Sequence, residues 1–281
     1  MRAHKQSGFT LVELSMVLAV LGLVIGTLLG AQAMLKNQRL RQVGADATKY
    51  LIAMNQFKLQ YSYFAGDFPT ATSVWGRADG GVPVTSNCAS PNANASAVGS
   101  KATCNGDGNG SIDATVSPTF NHETYRAWQH LSAAGLIEGQ FTGVSNGVAS
   151  SYITLGSNAP KGAYEQTGYA WSFGLNLVNS AVAADTNYYD GDYSQALIFG
   201  KAGNIANPGS GLGAPALSPT QLYELDAKLD DVLPSTGNVR SLKPTAALTP
   251  NCVTGAAYNT TLDSEACVAI FMPTLAGNNN R

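Results

Sequence analysis

The sequence predicts an α+β chain: a long N-terminal α-helical stem, lollipop fashion, packed on a loop-rich antiparallel β head. Three observations predict it. Residues 14–35 run without a charge or a proline. Apolar residues then recur at spacings of three and four as far as Phe64. Beyond that point, short β-branched or aromatic runs alternate with Gly-, Asn- and Ser-rich stretches that hold all four cysteines.

The stem begins after a polar opening, MRAHKQSG, and turns apolar at Phe9, with Glu13 the one charge before Lys36. At ~1.5 Å per residue, a helix over 14–35 spans roughly 30 Å, the depth of a bilayer core. A secretory signal peptide has an apolar region of roughly 7–15 residues and a small-x-small cleavage site. This run is longer, and no such site ends it cleanly. A plain membrane anchor is disfavoured by Glu13, because a carboxylate in hydrocarbon costs roughly 2.5–3.5 kcal/mol. Glu13 is therefore a candidate functional residue. Gly22, Gly26 and Gly30 sit four apart. They read either as a close-approach face between helices or as the ordinary glycine enrichment of membrane helices, and both readings stay open.

The stem continues through Leu40, Val43, Ala47, Tyr50, Leu51, Met54, Phe57, Tyr61 and Phe64, one apolar stripe at helical spacing. Lys36, Arg39, Arg41, Asp46 and Lys58 occupy the remaining face. The run Ala65-Gly66-Asp67-Phe68-Pro69 supplies a Gly/Pro stop. A helix from Thr10 to Phe64 is then ~80 Å long. The expected organisation is a polar leader at 1–8, an apolar membrane helix at 9–35, an amphipathic half-stem at 36–66 and a head at 67–281.

The head opens with a loop over 69–104, in which Trp75 is the expected buried anchor. Asn105-Gly106-Asp107-Gly108-Asn109-Gly110-Ser111-Ile112-Asp113 follows. Oxygen side chains at 105, 107 and 109, a glycine at 110 and an apolar residue at 112 match the first nine positions of an EF-hand-type calcium loop. The expected ligands are Asn105, Asp107, Asn109, the Ser111 carbonyl and Asp113. Val116 stands where that loop has its bidentate glutamate, and Glu123 is the candidate replacement. A Gly/Asn-rich turn without an ion is the competing reading. A helix is expected within the stretch 122–137, with Tyr125, Trp128, Leu131 and Ala134 at helical spacing, Gly135 as its cap and His130 a packed or surface residue.

Strands are expected at 151–155, 169–173, 196–199 and 268–272, from their β-branched and aromatic content. Between them, 185–192 carries three aspartates and an asparagine, either a second cation site or a solvated acidic turn. Residues 204–217 read as a Gly/Pro/Ala linker. Ser218 to Leu233 reads as a capped helix, with Ser218 at the N-cap, Pro219 in the first turn and Gln221 at the capping-box position. Leu222, Leu225, Leu229 and Val232 face inward on this reading, and Asp226, Asp230 and Asp231 lie largely outward. The cysteines form two local pairs, Cys88 with Cys104 and Cys252 with Cys267, one of three connectivities open to four cysteines. Neither pair has CxxC spacing or a nearby histidine, so disulfides are favoured over zinc.

Composition excludes several functions. The chain has 16 Lys+Arg against 18 Asp+Glu, which leaves no basic surface for a nucleic acid. Charged residues are only 12% and glycines number 30, as suits a loop-rich exported domain. His122-Glu123 is not the zinc-protease motif, because Arg126 stands at the second ligand position. The GSGLG run lacks the strand–turn–helix context of a phosphate loop. No nucleophile–base set is apparent, so the chain reads as structural and not as an enzyme.

The segment Lys5-Gln6-Ser7-Gly8-Phe9-Thr10-Leu11-Val12-Glu13 resembles the class III leader of type IV pilins and type II secretion pseudopilins. Gly8, an aromatic Phe9 and Glu13 stand at the family's spacing ahead of an apolar run. The resemblance covers about 5–35, and the fold it implies is pilin-like. It implies cleavage between Gly8 and Phe9 by a prepilin peptidase, N-methylation of Phe9, and pairing of Glu13 with the Phe9 amine of an adjacent subunit during assembly. Loss of Arg2 and Lys5 then leaves 14 basic against 18 acidic side chains, a formal −4. Implied partners are copies of itself or other pilins in a helical filament, an inner-membrane assembly platform and its cytoplasmic ATPase. The implied location is the inner membrane as precursor, then a periplasmic or extracellular filament of a bacterium. The C-terminal cysteine pair, followed by an apolar strand, resembles that region of many type IV pilins. Type IV pilus subunit, type II secretion pseudopilin and a membrane-tethered binding or enzymatic head with a borrowed leader stay open. The calcium-like loop leans toward the pseudopilin, whose family uses calcium in its heads. Glu13 counts against a tip-capping pseudopilin.

Overall fold

The computed structural model describes residues 10–90, 94–112, 123–145, 153–171, 188–191, 193, 195–202, 212–243, 249 and 251–273. Two compact units divide the chain, Met1–Gln42 and Val43–Arg281. The fold is α+β, with a long N-terminal helix and an antiparallel sheet.

Helix α1 spans Leu11–Tyr61, 51 residues or ~75 Å. It ends three residues before the expected stop, because Ser62 takes a left-handed conformation (φ 63°) while its N–H still reaches the Lys58 carbonyl. The early turn folds Phe64 and Ala65 into the interior. Lys58 Nζ lies 4.0 Å from the Phe64 ring centroid. Within the second unit the periodic stripe is the buried face: Val43, Ala47, Met54 and Phe57 are inside, while Ile52 and Leu59 point outward.

Helix α2, Ala71–Trp75, is a short helical stretch inside the expected loop. Trp75 is half-buried and not the enclosed anchor expected of it, because it closes the edge of an aromatic cluster with Phe57, Tyr61, Phe68 and His130. Helix α3, Glu123–Ala133, is covered on nearly every side; of its eleven residues only Ser132 is not buried. Its sequence shows a polar face, yet that face is covered too. Arg126 donates to the Gln129 side chain, the Asn94 carbonyl and Cys104 Sγ. Gly135, at φ 74°, turns the chain away just after the helix.

Strands β1 (Thr167–Trp171), β2 (Leu197–Lys201), β3 (Val239–Arg240) and β6 (Ala269–Phe271) form an antiparallel sheet in the order β1-β2-β6-β3. β1 and β6 are buried throughout, as in a sheet covered on both faces. Tyr50 of α1 meets Trp128 and Tyr169 edge-on at 5.0 and 5.1 Å, and Tyr169 Oη donates to the Val43 carbonyl, so helix, sheet and α3 share one core. β4 (Val253–Thr254) and β5 (Ala257–Tyr258) make a separate hairpin.

Several expectations need correction. No strand forms over 153–155, where only a single bridge joins Leu155 to Ala159, and 151–152 lie outside the described residues. The described end of the supposed linker is core: Leu212 and Leu217 are fully buried, and the Ala216 and Leu217 N–H groups donate to the Cys267 carbonyl. Helix α4 spans Pro219–Leu229, with the expected capping box between Ser218 and Gln221 in place. It stops four residues short of Leu233, Val232 adopts φ 70°, and Leu229 is exposed. Asp226, expected outward, is fully buried. Its carboxylate accepts from Tyr258 Oη at 2.7 Å and from the Val232 N–H at 3.2 Å, which holds the turn after the helix.

Candidate functional site

In the first unit, the expected cleavage and methylation residues Gly8 and Phe9 lie outside the described residues. Helix α1 starts at the next position but one. Thr10 donates to Glu13 Oε2 from its N–H and from Oγ1, both at 2.9 Å, and the Glu13 N–H returns a bond to Thr10 Oγ1 at 3.3 Å. This reciprocal Thr-x-x-Glu arrangement is a capping box, a pattern visible in the sequence. It settles the carboxylate over the first turn, where the helix dipole favours negative charge.

The most apolar eighteen residues of α1 have a mean hydropathy of 2.4, and none is buried. Leu11, Met16 and Leu23 are among many aliphatic side chains left open, so this segment is apolar all round. Such a helix belongs in lipid or against other helices. A Cβ added at Gly22, Gly26 or Gly30 meets nothing within 4 Å, so these glycines serve no close approach within the described chain.

The second unit contains an acidic cluster. Ligand oxygens of Asp67, Asp107 and Glu123 lie within 4.8 Å of one another. Each comes from a different segment: the turn after α1, the Gly-rich loop and the first turn of α3. Glu123 Oε1 accepts from the Asp107 N–H at 2.8 Å, and Asp67 Oδ2 accepts from the Gly110 N–H at 3.0 Å. Close backbone approach makes the arrangement possible. A Cβ at Gly106 would stand 2.2 Å from the Gly66 carbonyl oxygen, and one at Gly66 would stand 2.5 Å from that of Glu123.

Asp67 is fully buried. Burial pushes its carboxyl up to about 7; the Gly110 N–H opposes that rise, and the nearby Asp107 charge adds to it. Its Oδ1 has no hydrogen-bond partner, and neither does the buried Ser111 Oγ.

The other expected ligands are placed differently. Asn105 Oδ1 turns to α2 and accepts from Thr72 N–H at 2.8 Å and Thr72 Oγ1 at 2.9 Å. Asn109 donates from Nδ2 to Asp107 Oδ2, and its Oδ1 accepts from the Ser111 N–H. Gly110 makes the expected sharp turn at φ 89°, and Ile112 is buried. Asp113 lies outside the described residues. Asp67 belongs to no motif, and only the packing of the turn onto the loop brings it in.

Neither imidazole nitrogen of His130 is available to this cluster. Its Nδ1 accepts from the Gly66 N–H at 3.0 Å, which places the proton on Nε2, facing Thr103 Oγ1 and the Cys104 carbonyl. Burial, and then the Arg126 charge, lower its pKa to about 3, so it is a neutral packing residue. A second group, Asp226, Asp230 and Asp231, also clusters. Its carboxylates already receive Tyr258 Oη and the N–H groups of Val232, Leu233 and Val239. In the 185–192 turn, 185–187 and 192 lie outside the described residues. The described part is held by Arg240 Nη1 donating to the Asp190 carbonyl and by contact of Tyr188 with Tyr193.

Disulfides join Cys88 to Cys104 and Cys252 to Cys267, with Cα separations of 5.4 and 5.0 Å. The first braces the loop that carries Asp107, and the second ties the start of the β4–β5 hairpin to the chain entering β6.

Residues 3–29 match the family model of the prokaryotic N-terminal methylation motif. No curated protein and no solved structure matches the chain. The matched segment is the class III prepilin leader of type IV pilins and pseudopilins, and together with the apolar helix that follows it fits a membrane-anchored precursor. In proteins that carry it, that motif implies processing by a prepilin peptidase and assembly into a filament.

Proposed function

We propose that this chain is a structural subunit of a type IV pilus-like filament. The observation that carries the reading is the leader followed directly by an α1 segment that is apolar all round, with one acidic residue at its start. In the membrane-held precursor, an uncharged helix of bilayer length anchors the head. Cleavage between Gly8 and Phe9 releases a new amine at the helix start, which is then methylated. Glu13, held against Thr10, offers a carboxylate to the Phe9 amine of a neighbouring subunit. The pairing removes two isolated charges from an apolar filament core, where each alone is costly. Stem helices then bury one another's aliphatic faces, and the Gly22, Gly26 and Gly30 face admits close contact between copies. An inner-membrane platform and its cytoplasmic ATPase drive extraction, and the filament ends in the periplasm or outside the cell.

A pseudopilin of a type II secretion system shares every one of these steps. Its calcium-stabilised heads give the acidic cluster of this chain a reason to favour that second reading. The deciding experiment is the intact mass and N-terminus of protein sheared from the cell surface. A chain beginning at methylated Phe9 in long filaments supports the pilus subunit. The same chain confined to the periplasm supports the pseudopilin. A chain still beginning at Met1 and found only in membranes overturns both in favour of a tethered head. Gly8→Leu is expected to leave the leader attached, and normal processing of that variant would remove the peptidase step.

A further inference from the structure

We propose that Asp67, Asp107 and Glu123 bind one calcium ion, which clasps the chain leaving α1 to the Gly-rich loop and to the start of α3. This goes beyond a loop-only site, because Asp67 lies outside the loop and Asn105 is committed to Thr72. One ligand oxygen from each of the three carboxylates lies within 4.8 Å of the others. Acidic clusters of that kind occur without an ion; this one differs in Asp67. That side chain is fully buried, and its Oδ1 meets no donor, although a buried carboxylate oxygen is costly to leave unmatched. It sits within reach of the Asp107 and Glu123 carboxylates, whose oxygens also accept from the Asn109 and Asp107 N–H groups, and a cation between the three gives Oδ1 its missing partner and offsets their mutual repulsion. The other acidic cluster lacks this signature, since the buried Asp226 has both its oxygens engaged.

The donor set identifies the ion. All three ligands are hard oxygens, and the adjacent His130 has both nitrogens committed within the core, which disfavours zinc and other borderline metals. Magnesium requires near-octahedral geometry and holds its waters, whereas calcium accepts irregular oxygen sets and completes six to eight positions with backbone carbonyls or water. Ligands from three unrelated segments suit calcium. The ion joins the end of the stem, a disulfide-braced loop and the central helix, so its effect is to lock the head's attachment to α1 within the second unit.

The test uses the full chain in detergent after chelation. Calcium is expected to bind with one site per chain by calorimetry. At a hundredfold excess over Kd it is expected to raise Tm by about 5–10 °C, with magnesium at the same concentration giving little shift. Asp67→Asn is expected to abolish the calcium shift while unfolding no earlier than the parent in chelator, since it removes one of three repelling charges. That second readout separates loss of the site from failure to fold. Asp226→Asn, in the other cluster, is expected to keep the full shift. Equal melting of the parent with calcium and with chelator, an equal shift with magnesium, or a calcium shift that survives Asp67→Asn would each overturn the proposal. None of these outcomes depends on how the N-terminus is processed.

Discussion

Replacing Phe57 by alanine tests whether the second half of α1 is part of the head core. Phe57 is fully buried, and its ring centroid lies 4.5 Å from Tyr61, 5.9 Å from Phe68 and 6.2 Å from both Trp75 and His130, stacked at 9° on the imidazole. Deleting a buried phenyl ring costs about 3–5 kcal/mol, from lost transfer energy plus the cavity left behind. Collapse into that cavity is restricted because four rings converge there from α1, α2, α3 and the turn between α1 and α2. For a unit of this size each kcal/mol lowers Tm by about 2–4 °C, so the variant should melt roughly 6–20 °C below the parent. Leu59, two residues on and 86% exposed, is the control. Leu59→Ala should stay within about 0.5 kcal/mol of the parent. The assay is thermal unfolding of the full chain in detergent, followed by near-ultraviolet circular dichroism, to which the neighbouring Trp75 contributes. If the two variants melt within a couple of degrees of each other, α1 has no buried face at this point and the reasoning fails.

Asp226 predicts a pH dependence of unusual sign. Burial raises its pKa to about 6, against the opposing bonds from Tyr258 and Val232, and the charges of Asp231 and Asp230 add to the rise. The folded protein therefore holds this proton more tightly than the unfolded chain. The stability the group contributes is complete below about pH 4 and is lost as pH rises to about 6. Asp226→Asn should flatten that segment of the profile and stabilise the protein at pH 7–8 by on the order of 2 kcal/mol; parallel profiles in chelator would refute it. The double replacement of Cys252 and Cys267 by serine should cost about 3 kcal/mol through a loop of sequence separation 15. Peptide mapping without reduction should recover Cys252 linked to Cys267 and Cys88 linked to Cys104, and any crossed pair would contradict the structure.

What the sequence determined alone is local in its physics. Hydropathy along 9–35 marks an apolar helix because a span needs only its own length and the absence of charge. The three-and-four stripe through Phe57 marks the buried face of α1 because a helix repeats every 3.6 residues. Ser218 and Gln221 announce the start of α4 through a reciprocal bond three residues apart, and the leader motif lies in one unbroken segment. The Gly-rich loop also showed itself, through Asp107 and its glycines. Tertiary structure alone decided which distant groups meet. Asp67 joins Asp107 and Glu123 because Gly106 and Gly66 let three backbones touch, and no periodicity records such an approach. Asp226 and the polar side of α3 are inside because other segments cover them, which overrides the outward reading of a charged or polar residue. Helical pattern depends on neighbours in the chain; an acidic cluster assembled from a turn, a loop and a helix depends on neighbours in space.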